Sequence, residues 1–463
     1  MLDQTVARDV LDAALSTGGD FAEIFMEDKR ANSLVLQSNR LEKVNSGRTH
    51  GAGIRVYVGL NAIYTYTNDT SREGLLNCAK QAALAVKTQK TGIVTASPFA
   101  VANIKNIHHI KITPSEAQTR SKADVLRAAN AAARLTSDEI SQVICSYSDS
   151  EQDVVICNSE GLYVTDRRTY SRMACQAVAA SGTENQAASA GPGAMMGFEL
   201  FLDRVDPAKV GKEVGEAAVK MLHAPVCPSG VMPVVIDNGF GGVIFHEACG
   251  HSLEATSVAF NISEFAGKLG QQIAAPCVTA IDDGTIPNEW GSENVDDEGM
   301  PTTKLVLIEN GILKNYMIDH LNGKRMGMAP TGSGRRQDYT FAPTSRMRNT
   351  YIAPGNDSNE EMISTMGDGL YAAKLGGGSV NPATGEFNFA VNEGYLVKDG
   401  KITTPVRGAS LIGKGADIIM QIDRVGKDMQ MAQGVCGSQS GSVFTNVGQP
   451  MIRVKSMTVG GRA

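Results

Sequence analysis

Two histidines five residues apart, with a glutamate directly after the first, mark the segment Val243-Ile244-Phe245-His246-Glu247-Ala248-Cys249-Gly250-His251-Ser252-Leu253-Glu254. Neutral imidazole is a natural zinc ligand, and a carboxylate beside the metal can take a proton from the water that attacks a carbonyl. Seven histidines in 463 residues give about 0.1 chance pairs at this spacing. Requiring Glu, at ~5% usage, beside the first lowers that to roughly 0.005.

The spacing makes a geometric demand. Histidines four apart differ by only about 40° around an α-helix, whereas five residues turn about 500° and leave them about 140° apart. A regular helix cannot aim both at one metal. It must widen by a π-bulge or end near Gly250, and π-bulges gather at functional sites. A catalytic zinc also needs a third protein ligand. Cys249, Glu254 and the distant Cys436 all qualify by residue type, and the last sits in a glycine-flanked stretch, Gln433-Gly434-Val435-Cys436-Gly437-Ser438. An oxyanion donor could come from Tyr316, His320, Arg335 or Tyr339, among which the sequence does not choose. Gly377, Gly378, Gly434 and Gly437 are candidates for close approach of backbone to a ligand.

The elements that must position these groups fall into two textures. Of 49 glycines, 16 lie in residues 1–230 and 33 in 231–463. The first half reads as helices at 2–17, after Asp206 and at about 115–136. Short strands are expected at 21–27, 33–37, 41–45, 51–59, 61–67, 140–147 and 152–157, with longer ones to about 180. Thr70 to Glu73 reads as a capping box, and 181–196 as a loop. Residues 91–114 show no clear period. Two prolines and a glycine in Ala224–Gly230 mark a boundary. The expected fold class is α+β: an N-terminal α/β domain over 1–224 and a strand-rich, glycine-rich C-terminal domain over 231–463.

A net charge of −6 argues against nucleic acid as a partner. No run of ~18 apolar residues suggests a membrane span. Eight cysteines without a Cys-x-x-Cys pair fit a reducing cytoplasm.

The segment His246–Glu254, the runs Ile281–Thr285 and Asn294–Gly299, and Leu307–Gly311 together resemble the TldD/PmbA family, in its TldD branch. Gly327–Arg336, Arg346–Tyr351, Gly434–Gly437, Val447–Pro450 and Thr458–Gly461 continue the likeness in the family's order. The chain departs from the family pattern after Glu254 and after Gly437. The resemblance implies a cytoplasmic zinc metallopeptidase acting on small or unfolded peptides. It implies Zn2+ on His246, His251 and Cys436, with Glu247 as general base. It also implies a homodimer, or a heterodimer with a PmbA-like subunit. Two further readings are a non-catalytic binding or assembly subunit, and a thiol hydrolase that uses Cys249 or Cys436 with a histidine.

Overall fold

The computed structural model describes residues 2–86, 94–381 and 384–461 and is of the α+β class. Part of the aperiodic stretch 91–114, residues 91–93, lies outside the described residues.

The first helix, Gln4–Leu15, starts where the Asp3 carboxylate accepts the amide of Thr5 at 2.8 Å, and it buries Ala7, Val10, Leu11, Ala14 and Leu15. The strands that follow are longer than the sequence suggests. Phe21–Gln37 and Arg40–Val58 form one hairpin, turning at Ser38 and Asn39 with φ of 48° and 61°. The polar stretches between the expected short strands continue the ladder, with Asp28 opposite His50 and Ser33 opposite Asn45. Main-chain pairing needs no apolar side chain there. For the same reason Ile140–Asn158 is a single strand. The expected loop at 181–196 instead contains the strand Glu184–Ala190, paired with Leu162–Ser181. Its small residues pack on the neighbouring strand. The second helix, Arg72–Ala85, is capped by Ser71 rather than Thr70, whose hydroxyl bonds His50 Nε2 at 2.7 Å. Asp206 caps Pro207–His223, as the sequence indicates.

Alternation along Phe21–Gln37 divides the first sheet into two faces. Ala22, Ile24, Leu34 and Leu36 join apolar clusters with the helices Gln4–Leu15, Arg72–Ala85, Thr119–Arg134 and Pro207–His223. Glu23, Phe25 and Glu27 face the other way and meet the C-terminal half. Glu23 pairs with Arg336 at 2.7 Å, Phe25 clusters with Val295, and Glu27 accepts the amide of Tyr339 at 2.7 Å. The strand Leu162–Ser181 follows the same rule. Arg168, Tyr170 and Arg172 reach the C-terminal half, and Met173, Cys175, Ala177 and Ala179 the helices.

Beyond Gly230 the described residues form a seven-stranded and a six-stranded sheet, plus a small hairpin. One large apolar cluster draws on both sheets and on residues 243–258. In the six-stranded sheet Gln430–Ser438 pairs only with Gly441–Gln449, so it is an edge strand, and it carries Cys436. Among the described residues no helix is long and apolar enough to cross a membrane.

Candidate metal centre

The helical segment that holds the histidines takes three pitches in eleven residues. Val243–Phe245 is α-helical, His246–Gly250 is a π-turn, and His251–Leu253 is a 3₁₀ turn, after which Glu254 is extended. The amide of His251 donates to the carbonyl of His246, an i→i+5 bond that brings both side chains to one side. Gly250 has an ordinary helical φ of −54°, so space rather than conformation demands a glycine there. A Cβ at this position would lie 2.2 Å from the Met347 sulfur.

The three donor atoms converge. His246 Nε2 is 3.4 Å and His251 Nε2 is 3.3 Å from Cys436 Sγ, and all three lie within 4.8 Å of one another. The imidazoles stand nearly perpendicular, at 84° with centroids 5.1 Å apart. Zn–S of about 2.3 Å and Zn–N of about 2.0–2.1 Å set a tetrahedral S···N edge of about 3.5 Å. The observed spacings match that edge, so the donor set fits zinc.

The surroundings assign the other groups. Glu254, buried, holds His251 Nδ1 at 3.1 Å, which orients the ring with Nε2 toward Cys436. Its other oxygen takes the amide of Met347 at 3.3 Å. Cys249 points into the apolar cluster, where burial raises its thiol pKa. Of the three ligand candidates left open by residue type, only Cys436 meets the two histidines. Burial would raise the Cys436 thiol, but hydrogen bonds and charge from His246 and His251 bring it down to about 4. Burial would lower His251, but Glu254 and Cys436 hold it well above the ordinary imidazole value. Arg346 fixes the backbone of this strand, its guanidinium donating to the carbonyl of Cys436 at 2.5 Å and of Gly441 at 2.8 Å.

Glu247 is 27% exposed, with Oε2 3.8 Å from His251 Nε2. With His246 and Cys436 it lines a cleft of about 860 Å³ between the two halves of the molecule. Gly377, Gly378 and Gly434 line it too, and Gly437 does not. A Cβ at Gly378 would meet the Phe389 ring at 2.2 Å, so that glycine serves packing.

The four candidate oxyanion donors are engaged elsewhere, and none lines the cleft. Tyr316 donates to the carbonyl of Phe265 at 2.6 Å. His320 stacks on Phe21 and Tyr57. Arg335 is buried and donates to the carbonyls of Met347 and Phe444. Tyr339 packs edge-on against Tyr66. One cleft-lining residue that the sequence does not single out is Arg172, which is held over Trp290. The alternation Arg168-Tyr170-Arg172 along one strand was the available signal.

Comparison with known proteins identifies the family. Residues 229–461 match the PmbA/TldA metallopeptidase C-terminal domain, 112–222 its central domain and 22–86 its domain 1. The metalloprotease TldD homolog of Haemophilus influenzae is 33% identical over 96% of this chain and 93% of its own. A metalloprotease of Methanothermobacter thermautotrophicus is 33% identical over 96% of both. Among solved structures, TldE from Thermococcus kodakarensis superposes with a TM-score of 0.78 at 19% identity, covering 98% of this chain and all of that one. A Thermotoga maritima protein reaches 0.80 at 23% identity over 99% of this chain and all of that one. These two likenesses concern the fold alone. With all three family domains in order and 33% identity sustained along its length, the chain belongs to the PmbA/TldD metallopeptidase family.

Proposed function

We propose that this protein is a zinc-dependent peptidase acting on small or unfolded peptides, with His246, His251 and Cys436 as zinc ligands and Glu247 as general base. The observation that carries the reading is the convergence of His246 Nε2, His251 Nε2 and Cys436 Sγ at the edge of a cleft. Zinc there supplies Lewis acidity toward the scissile carbonyl and toward water.

The chain's own residues do the rest. Glu247, at the cleft surface, takes the proton of the attacking water and returns it to the leaving amine. Glu254 keeps the His251 ring oriented, with Nε2 toward the other two donors. The edge strand Gln430–Ser438 offers main-chain groups to an extended peptide, which favours unfolded chains over folded ones. We place the site in a C-terminal domain over 231–463 that depends on an N-terminal domain over 1–224 for one wall of its cleft. The family resemblance further supports a cytoplasmic homodimer or a heterodimer with a PmbA-like subunit.

Metal analysis of the purified protein tests the reading, with about one zinc per chain expected. Zinc-free protein that still cleaves peptides would overturn it. A second reading, a cysteine hydrolase, draws on the Cys436–imidazole contacts. Cleavage that survives a strong chelator but is abolished by iodoacetamide would select that one.

A further inference from the structure

The charged side chains lining the cleft are Arg172, Glu213, Asp237, Glu247, Lys374 and Glu393. All but one have a polar side-chain partner among the described residues. Lys374 lies 3.6 Å from Glu393, which also binds Lys220 at 2.8 Å. Glu213 faces Lys209 at 3.9 Å, and Asp237 accepts the Tyr371 hydroxyl at 2.5 Å. Glu247 neighbours His251.

Arg172 is the exception. Its Nε donates to the carbonyl of Gly191 at 3.0 Å, and among the described residues it forms no ion pair. Its guanidinium carbon sits 5.4 Å from the centre of the Trp290 ring, a cation–π contact that orients the group without neutralising it. Burial lowers its pKa from the ordinary guanidinium value, with no anion opposing the shift. Space has been cleared around it as well. A Cβ at Gly191 would lie 2.8 Å from Nη2, and one at Gly193 would lie 2.9 Å from Cγ.

The same Trp290 donates its indole N–H to the carbonyl of Gly434 at 2.9 Å, two residues before Cys436. Arg172 is thereby tied, through one aromatic ring, to the strand that carries the sulfur donor. A half-buried cation held in place, uncompensated and facing a cleft is a built anion site. A guanidinium fork matches a carboxylate with two parallel hydrogen bonds.

We propose that Arg172 binds a carboxylate of the peptide substrate, so that this peptidase prefers peptides presenting a carboxylate on the Arg172 side of the metal centre. The inference rests on the peptidase reading for the identity of the ligand, but not for the site. Two sources share the chemistry, the free C-terminus and an acidic side chain.

Fluorescence anisotropy on the full chain, with Glu247→Gln to prevent turnover, separates them. Three labelled peptides of otherwise neutral composition serve as probes: a free acid, its C-terminal amide, and an amide with one internal Glu. The expected result is on the order of 10- to 100-fold tighter binding of one carboxylate-bearing peptide than of the neutral amide. That preference should disappear in Arg172→Gln, which keeps a stem over Trp290, and survive in part in Arg172→Lys. The free acid or the Glu peptide, whichever gains, identifies the source. Equal binding of all three peptides, or a preference that persists in Arg172→Gln at unchanged thermal stability, overturns the proposal. In that event zinc-dependent cleavage by the unmodified chain would leave the peptidase reading standing. A carboxylate preference lost in Arg172→Gln without any zinc-dependent cleavage would do the reverse.

Discussion

Two buried polar regions of this molecule treat charge in opposite ways. Between the first sheet and the C-terminal half, arginines and carboxylates neutralise each other. Arg55 lies between Glu23 at 2.8 Å and Glu298 at 2.6 Å. Arg168 meets Asp297 at 2.7 Å and Glu293 at 3.3 Å, and Arg348 meets Glu293 at 2.5 Å. At the candidate metal centre, three donor atoms converge instead, two imidazole nitrogens and one sulfur. His246 Nδ1 is buried without a hydrogen-bond partner among the described residues. In the first region each of these guanidinium groups has a carboxylate beside it. The second gathers donor atoms of the kinds that ligate zinc.

The comparison is broken most directly at Glu247. Glu247→Gln is expected to lower kcat by roughly 10²- to 10⁴-fold while zinc content stays at the unmodified level. Peptide cleavage assays with parallel metal analysis check both halves of that statement. A fall in zinc as large as the fall in rate would mean that Glu247 supports the metal site rather than the proton.

The ion network should respond in stability instead. Arg168→Met leaves Asp297 and Glu293 short of a buried partner, and breaking such a pair costs about 3–5 kcal/mol. Urea unfolding should show that loss, with zinc content per folded molecule unchanged.

A smaller effect is expected from Glu254→Gln. Carboxylates that hold the far nitrogen of a ligating histidine are worth roughly 10- to 100-fold in metal affinity. Competition with a chelator of known strength would measure it, and unaltered affinity would deny Glu254 its orienting role.

The smallest effect is a slope in pH. Burial would raise the Glu293 carboxyl, but Arg168, Arg335 and Arg348 bring it from 4.5 down to about 2. Its stabilising contribution is therefore full above the ordinary carboxylate value and lost as pH falls toward 2. Glu293→Gln should flatten the acid limb of stability between pH 4.5 and 2, read by thermal unfolding.

The sequence disclosed the candidate metal centre more fully than the cleft around it. His246, His251 and Glu247 stand in one short segment, and their five-residue spacing already required the departure from α-helix found at His246–Gly250. Cys436 was one of three open choices by residue type, because a contact across 190 residues leaves no local pattern. Glu254 was visible as a neighbour of His251, but not which nitrogen it would hold. Tyr316, His320, Arg335 and Tyr339 had suitable chemistry and the wrong surroundings, since residue type does not say which face of a strand or loop is buried. Arg172 was missed for the converse reason. Its place in the cleft follows from a strand alternation whose value appears only once the first sheet docks on Trp290. Strand lengths were underestimated where exposed polar residues extend a ladder, as at Asp28 opposite His50.

The π-turn has a consequence for where such a site can be built. An extra residue in the middle of a long helix rotates everything after it by about 100° and throws its apolar stripe out of phase. Here the helix ends within three residues, at Leu253, and Glu254 is already extended. Nothing downstream depends on the lost phase. Leu253 and Ala255, on either side of the extended Glu254, are instead locked to Met317 by amide–carbonyl bonds of 3.0 and 2.8 Å. That anchor places the Glu254 carboxylate from a fixed point outside the helix, so the added residue redirects His251 without moving the group that orients it.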